Sequence, residues 1–421
     1  MDTDVIVAGA GLAGLTCARH LIRAGLDVRV LEAGDDVGGR VRTDVIEDFR
    51  CDRGFQLLNP GYPAVQDEVD VRRLGLGHFE RGVVACRDEG PTTLAASTQQ
   101  LRSAVPALRS SPLSALLTGP YLHPRTIRET AALTRWSALA LGPVSLLLRT
   151  RDSALGDSLD AAGVTGLLRH DLIDPFLAGV LLDRSGLSST TFTRLLVRAF
   201  ALGTPGVPAQ GMSALPHQLA AGLPVELRRP VTGVTRGADG VQVDTEDGAL
   251  RARAVVVATD PPTAADLLDI DVPAGKGVVT WWFATPDDPG QRALLHLDAR
   301  TQPGPLVNAC VMTNAAPSYA PPGQHLVQAS ALLADADLPE NTVREQLAAL
   351  FGVDTGGWDL LIRHEIPYAL PEQRPPLQIR RQVDLGDGVF VCGDHRDTAS
   401  IQGALVSGRR TARAVVARLT Q

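Results

Sequence analysis

Three glycines near the start of the chain, Gly9, Gly11 and Gly14, have the spacing G-x-G-x-x-G, and Glu32 follows roughly 20 residues later. Glycines in this pattern allow a tight turn and let a pyrophosphate approach the backbone, and a carboxylate at that distance accepts hydrogen bonds from ribose hydroxyls. An acidic residue there argues against a ribose that carries a 2′-phosphate. These residues predict a dinucleotide site, and both NAD and FAD remain possible from this unit alone.

The elements around these residues have the order that such a site requires. Residues 5–8 are a short apolar run, typical of a strand buried on both faces, and apolar residues at helical spacing follow as far as Gly25. Residues 28–31 predict a second strand that ends at Glu32. A pyrophosphate would therefore meet a helix N-terminus at Leu12 and Ala13, and Ala33 would lie beside the carboxylate.

Composition excludes several classes of function. A chain of 421 residues is too long for one ordinary core, so two lobes are expected. The net charge of −7 and the lack of a basic run argue against nucleic acid as a partner. The five cysteines are scattered, which predicts neither a disulfide framework nor a metal site. With no signal peptide and no apolar run long enough to span a membrane, a cytoplasmic protein is expected.

A second motif distinguishes FAD from NAD as the expected cofactor. Gly38, Gly39, Arg40 and Thr43 follow Glu32 with the spacing E-x(5)-G-G-R-x-x-T. This run resembles the flavin amine oxidase and phytoene desaturase superfamily, which includes protoporphyrinogen oxidase. The resemblance implies an FAD cofactor that lies along these residues. No cysteine stands where a flavin would be attached, so the FAD is expected to be bound noncovalently.

The C-terminal region resembles the same superfamily independently. Gly393 and Asp394 follow a predicted strand, and Gln402, Gly403 and Ala404 open the last predicted helix. In the superfamily this pattern completes the FAD site, so the resemblance places Asp394 near the ribitol or the diphosphate. It also directs the helix N-terminus towards the flavin C2 carbonyl, where a dipole would stabilise the negative charge that reduction leaves.

The middle of the chain adds further expected contacts. The resemblance implies that Gly54, Phe55 and Gln56 lie near the isoalloxazine, Val231 near the adenine, and Thr259 at the end of a strand beside the cofactor. Two weak catalytic candidates are Lys276 and His395. Lys276 stands where amine oxidases carry a lysine, although its glycine neighbours predict a solvent-exposed turn, and His395 lies in the loop expected above the flavin.

The predicted fold class is α/β. A doubly wound parallel sheet forms an FAD-binding domain from residues 1–63, 205–262 and 385–421, and residues 64–204 and 263–384 form an inserted α+β substrate domain. Residues 64–200 have a mostly helical pattern, and an antiparallel sheet follows. The adjacent Trp281 and Trp282 are expected on opposite faces of a strand, one of them towards the pocket.

Two segments of the substrate domain are expected to pack its core. Residues 174–180 resemble a PF-x-x-GV element of the superfamily and are expected to pack the lobe rather than touch a ligand. Leucines between residues 139 and 148, flanked by arginines, are expected to form a core helix, and a weak peripheral membrane contact is the alternative.

The resemblance implies an oxidoreductase that takes a hydride from a C–C or C–N bond of a hydrophobic small molecule to flavin N5. Because no second glycine-rich turn occurs in mid-chain, the electrons are expected to pass to oxygen or another diffusible acceptor. The span 397–400 lacks the aromatic residue that amine oxidases carry, which argues against an amine substrate. A non-redox isomerase of the same fold and a lipid or isoprenoid carrier without catalysis remain alternatives. The oligomeric state is open.

Overall fold

The structure is a computed structural model that describes residues 1–95 and 123–420. The strands within these residues are β1 Thr3–Ala8, β2 Val28–Leu31, β3 Thr43–Ile46, β4 Phe49–Asp52, β5 Leu76–His78, β6 Gly82–Arg87, β7 Gly90–Ala95, β8 Gly206–Pro208, β9 Val225–Glu226, β10 Val231–Gly237, β11 Gly240–Thr245, β12 Gly248–Val257, β13 Gly275–Thr285, β14 Leu295–Asp298, β15 Leu306–Val311, β16 His325–Leu332, β17 Asp359–Pro371 and β18 Val389–Val391.

The α-helices within the same residues are α1 Leu12–Arg23, α2 Pro63–Glu68, α3 Val71–Leu74, α4 Pro124–Leu141, α5 Val144–Leu147, α6 Leu155–Ala162, α7 Asp174–Leu181, α8 Thr190–Leu202, α9 Ala214–Ala220, α10 Pro261–Leu268, α11 Met312–Ala315, α12 Glu340–Phe351 and α13 Ile401–Leu419. The helical prediction for residues 96–122 lies outside the described residues.

The first sheet has the order β10-β11-β12-β1-β2-β9, and β18 also pairs with β12. The strands β9, β2, β1, β12 and β18 are parallel to one another, whereas β10 and β11 extend the sheet as an antiparallel hairpin, with β11 antiparallel to β12. Val5, Ile6 and Val7 are fully buried, as expected for a parallel strand covered on both faces. The predicted α/β class is confirmed, and the strands come from the three predicted segments. The domain boundaries themselves stay a prediction.

The second sheet has the order β17-β13-β16-β15-β14-β6-β7. Neighbouring strands of this sheet are antiparallel, except that β6 and β14 are parallel to each other. The mostly helical pattern expected from residue 64 onwards is wrong for β5, β6 and β7. The apolar run at residues 83–86 suits either a helix or a strand, and its partner β14 lies far along the chain, so only tertiary pairing decides.

Helices α4, α6, α7 and α8 share a core that includes Leu133, Trp136 and Leu196. The expectation of a core helix holds for one face of α4 only, because Leu139 and Leu141 are 46% and 58% exposed and Leu146 of α5 is 58% exposed. Along the described part of the chain, no helix combines the length and the apolarity that crossing a membrane requires.

Trp281 and Trp282 lie on opposite faces of β13, as predicted, because each belongs to a different hydrophobic core. The expectation that one of them faces the pocket is wrong. Both indoles are buried in those cores, and the residue of β13 that lines the main cavity is Val278, nearer the start of the strand.

A buried carboxylate connects three segments that are distant in sequence. Asp52, at the end of β4, accepts hydrogen bonds from the Thr43 hydroxyl (2.6 Å), the Met212 amide (2.9 Å) and the Tyr319 hydroxyl (2.8 Å). Complete burial outweighs these bonds and raises the pKa of Asp52 from 3.8 to about 6. The folded protein therefore binds this proton more tightly than the unfolded chain does.

This shift predicts a pH-dependent contribution to stability. Because the folded pKa of Asp52 is the higher one, its stabilising effect is complete below about pH 4 and is lost as pH rises through about 6. The variant Asp52→Asn should remove that loss, so wild type should lose on the order of 2–3 kcal/mol relative to the variant between pH 4 and pH 7. Urea unfolding of both proteins across this range measures the difference, and two parallel stability curves would contradict it.

Candidate active site

A cavity of about 630 Å³ is lined by residues of both lobes. Its size lies within the range of small-molecule and cofactor sites, roughly 300–1,000 Å³. Residues from the N-terminal unit, from the strand ends of the first sheet, from the second sheet and helices, and from the C-terminal loop meet around it. Chain segments that are distant in sequence therefore form a single site.

The N-terminal unit has the features expected of a dinucleotide site. The Glu32 carboxylate follows β2 and accepts hydrogen bonds from the amides of Ala10 (2.6 Å) and Gly34 (2.8 Å), which fix it at the cavity wall. A Cβ on Gly14 would collide with the carbonyl oxygen of Gly9, so this glycine serves the packing of α1 against the turn. A Cβ on Gly11 would meet nothing within 4 Å, so the space above that backbone is open to a ligand.

The N-terminus of α1 lies at the same wall. Leu12 and Ala13 line the cavity, and the first intrahelical bond runs from the Leu15 amide to the Gly11 carbonyl. The backbone amides that precede Leu15 have no acceptor within the helix, and the helix dipole places a partial positive charge at this end. This wall can therefore bind an anionic group such as a diphosphate.

An ion pair joins the two ends of the chain at the cavity. Arg40 donates a hydrogen bond of 2.6 Å from Nη2 to Oδ1 of Asp394, and one of 2.8 Å from Nη1 to the Ala369 carbonyl. Burial disfavours the guanidinium charge, but the Asp394 carboxylate more than offsets this and the pKa of Arg40 is raised. Both side chains line the cavity, so the pair adds little net charge to it.

Gln56 carries an unpaired acceptor. Its Nε2 donates to the carbonyls of Arg40 (2.7 Å) and Arg53 (3.0 Å), which fixes the orientation of the amide. Its Oε1 is buried and has no hydrogen-bond partner among the described residues, although the side chain lines the cavity. A buried acceptor without a partner costs free energy, and an N–H group of a bound cofactor would satisfy it.

The N-terminus of α13 differs in detail from the prediction. Ser400 is its N-cap and accepts a hydrogen bond of 3.1 Å from the Gly403 amide, so that amide already has a partner. A Cβ on Gly403 would collide with the Thr398 carbonyl, which explains the glycine by loop packing. Gln402 accepts a hydrogen bond from the Ala64 amide at 2.8 Å and does not line the cavity. Ile401 and Ala404 are the helix residues that line the cavity.

Most of the predicted cofactor-binding residues therefore meet at one cavity, and those that line it are Gly9, Gly11, Leu12, Ala13, Glu32, Ala33, Gly38, Gly39, Arg40, Gly54, Phe55, Gln56, Val231, Thr259, Gly393, Asp394 and Ala404. Gly14, Gln402 and Gly403 do not line it. The carboxylate, the open backbone at Gly11, the helix N-terminus and the unpaired Gln56 oxygen fit an FAD molecule. Contact of each residue with FAD stays a prediction.

A further part of the cavity wall comes from residues 176–200 and from the second sheet beside them, and we call this part the apolar chamber; its lining residues are Phe176, Gly179, Val180, Leu182, Phe192, Leu196, Phe200, Val278, Leu295, Leu297, Asn308, Ser330 and Ile366. Asn308 and Ser330 are its polar members within the described residues. Phe176 and Val180 belong to the segment that was expected to pack the lobe. That expectation holds for Leu177 and Ala178, which are buried in the core.

The two weak catalytic candidates lie outside the cavity lining. Lys276 is part of β13, so the expected exposed turn is wrong; its Nζ lies 2.9 Å from Asp183 Oδ2 and 3.0 Å from Ser188 Oγ. His395 is 1% exposed, and burial lowers its pKa to about 4, so its ring is neutral at pH 7. Lys276 thus serves a structural ion pair in this structure.

Sequence reasoning missed the chamber residues on α8, β15 and β16. Leu196, Phe200, Asn308 and Ser330 lie in segments whose secondary structure follows from their patterns, yet no local signal marks which face meets the cavity. The uncommon pattern of an asparagine within the apolar strand Leu306–Val311 is the one signal that could have identified Asn308.

The two-lobed fold and this site define an FAD-dependent oxidoreductase class. Residues 12–416 match the model of the flavin containing amine oxidoreductase family, and the chain belongs to that family. Among solved structures, a putrescine oxidase bound to putrescine superposes with a TM-score of 0.70 at 19% identity over 99% of this chain and 100% of that chain. The cyclohexylamine oxidase of Brevibacterium oxydans IH-35A gives 0.65 at 17% identity over all of both chains.

Among curated relatives, the pseudooxynicotine dehydrogenase of a Pseudomonas species is 26% identical over 280 residues, which are 63% of this chain and 53% of that protein. The chain thus spans about half the length of this relative. The likeness to the solved structures, at less than 20% identity, concerns the fold. Family membership makes FAD the cofactor of this chain, whereas the substrate is a separate question.

Proposed function

We propose that this chain oxidises an uncharged, hydrophobic small molecule at a C–N or C–C bond, with noncovalently bound FAD as the hydride acceptor. The observation that supports this most strongly is the apolar chamber beside the cofactor residues. Among its described lining residues no side chain carries a charge, and the charged groups of the cavity, such as Glu32, Arg40 and Asp394, belong to the cofactor part.

The chamber restricts the form in which an amine could react. A buried ammonium ion without a carboxylate partner costs several kcal/mol. An amine would therefore enter as the free base, with its lone pair available to stabilise the cation that forms when a hydride leaves carbon. A polyamine, which carries a second charge, would leave that charge without a partner.

The protein's own groups contribute by binding and by excluding water. FAD, when bound, supplies a two-electron acceptor. Phe176, Phe192 and Phe200 provide the apolar surface that holds the substrate and keeps water away. The Tyr62 hydroxyl at the cavity stays neutral, because burial raises its pKa to about 12. No described residue of the chamber can act as a base at pH 7. A neutral amine becomes an iminium ion by loss of a hydride alone and needs no base. Oxidation of a C–C bond to C=C also releases a proton, which would have to pass to water, so the chamber favours the C–N bond.

We further propose that the electrons pass to oxygen or to another diffusible acceptor. The sequence after β12 continues as Thr259-Asp260-Pro261 into α10, without a second glycine-rich turn for a nicotinamide dinucleotide. The acceptor would then reach the site through solvent.

Anaerobic mixing of the holoenzyme with hydrophobic amines, such as cyclohexylamine and benzylamine, tests the proposal. We expect loss of the 450 nm flavin absorbance (about one equivalent of amine per FAD), with a rate that rises as pH approaches the pKa of the amine because the free base reacts. Bleaching by putrescine in preference to these amines would contradict the uncharged substrate. Turnover that required prior reduction of FAD, with no net oxidation, would indicate an isomerase instead.

A further inference from the structure

A row of polar side chains crosses three neighbouring strands of the second sheet, and two of its members, Asn308 and Ser330, line the apolar chamber. Asn308 on β15 is paired in register with Ser330 on β16, and Ser330 is paired with Thr280 on β13. The Thr280 and Ser330 hydroxyl oxygens lie 3.2 Å apart. Burial of polar groups in an otherwise apolar sheet face costs free energy unless the groups are hydrogen-bonded, so the cost depends on which partner each group has.

A glutamine on the same strand as Ser330 fixes the orientation of the asparagine. Gln328 is fully buried, and its Nε2 donates to Ser330 Oγ at 2.5 Å and to Asn308 Oδ1 at 3.4 Å. Its Oε1 lies 3.6 Å from the thiol of Cys310, which burial keeps protonated by raising its pKa. Because Gln328 donates to Oδ1 of Asn308, the NH₂ group is the part of this amide that remains to be paired.

That NH₂ group is left without a partner. Asn308 is 6% exposed and lines the cavity, and its Nδ2 has no acceptor among the described residues. A Cβ on Gly179 of α7 would collide with this Nδ2, so the glycine leaves room for the amide between helix and sheet. A nearly buried donor at the wall of an apolar chamber therefore stays available to a ligand.

We propose that Asn308 is a specificity-determining residue that donates a hydrogen bond from Nδ2 to an uncharged oxygen acceptor of the substrate. This inference rests on the proposed function, because the chamber is assigned there as the substrate site. It narrows the preferred substrates to hydrophobic molecules that carry, besides the bond to be oxidised, one neutral oxygen such as that of a ketone, an amide or an ether. Amines without such an oxygen, such as cyclohexylamine, would still react but bind more weakly. The donor orients the molecule, since Ser330, the other polar member of the chamber, already accepts a hydrogen bond from Gln328. The remaining described lining residues of the chamber are apolar and do not fix its rotation.

Two probes that differ in a single group test this directly. Propiophenone and 2-phenylbut-1-ene have the same carbon skeleton around a C=O or a C=CH₂ group, so both fill the chamber and one of them accepts a hydrogen bond. Titration calorimetry of the oxidised holoenzyme should give about 5- to 10-fold tighter binding of propiophenone, the effect of one neutral hydrogen bond. The variant Asn308→Leu should bind both probes with similar affinity.

Asn314→Leu is the matched control, because the Asn314 amide bonds the carbonyls of Gly290 and Arg292 away from the cavity; it should keep the wild-type preference. Asn308→Ala is the second variant if Asn308→Leu does not fold. An unchanged preference in a folded Asn308 variant, or a wild type that binds neither probe or both alike, would overturn the inference. Calorimetry needs no turnover, so a failed inference with intact amine oxidation is distinguished from a failed proposed function.

Discussion

Replacement of Gly11 by valine should yield a folded protein that no longer binds FAD. The backbone of Gly11 has φ −72° and ψ 173°, a conformation that valine adopts readily, and a Cβ there would meet no atom within 4 Å. The side chain would instead occupy the space above the N-terminus of α1, where the diphosphate is expected. We expect FAD affinity to fall by at least about 100-fold, which is about 3 kcal/mol.

Gly357→Val is the matched control, since a Cβ on Gly357 also meets nothing within 4 Å and that glycine does not line the cavity. This control should purify with wild-type FAD content. Fluorescence titration of both apoproteins with FAD measures the affinities, and circular dichroism reports the fold. Wild-type FAD affinity in Gly11→Val would show that the cofactor does not approach this backbone.

Introduction of a positive charge into the apolar chamber should abolish oxidation and leave FAD in place. Leu196 is 7% exposed and lines the chamber from α8. A lysine there must either bury its charge, at a cost of several kcal/mol, or release its proton. We expect Leu196→Lys to lower kcat/KM for cyclohexylamine by at least about 100-fold at pH 7, with a smaller defect at higher pH where the lysine is neutral.

Leu202→Lys provides the comparison on the same helix, because Leu202 is 57% exposed. A charge at that position should change stability by less than about 0.5 kcal/mol and leave the rate unaltered. Steady-state rates from pH 7 to pH 10, together with the flavin content of each purified variant, measure both effects. A Leu196→Lys enzyme that retained FAD and full activity at pH 7 would contradict the assignment of the chamber as the substrate site.

The cofactor part of the site was predictable because its signals are local. The spacing of Gly9, Gly11 and Gly14 with Glu32 follows from the backbone and ribose chemistry of one β-α-β unit, and that unit forms as expected. Gly14, Gln402 and Gly403 fit the motifs but do not line the cavity, because contacts within the protein engage all three.

The substrate part was not predictable in the same way. The β6–β7 hairpin exists because β14 pairs with it, and no pattern within residues 82–95 contains that partner. Lys276 looked exposed because glycines flank it, yet Asp183 on a distant loop pairs with it and the segment is a strand. Which side chains enter the chamber depends on how α7 packs on the second sheet and how α8 packs on α4, and no local sequence pattern contains these tertiary contacts.

Titration of the apoprotein with FAD shows whether both ends of the chain bind one FAD at this cavity. We expect uptake of one FAD per chain, with the flavin spectrum restored and the cofactor released intact on denaturation. A correctly folded apoprotein that stays colourless in the presence of excess FAD would contradict it.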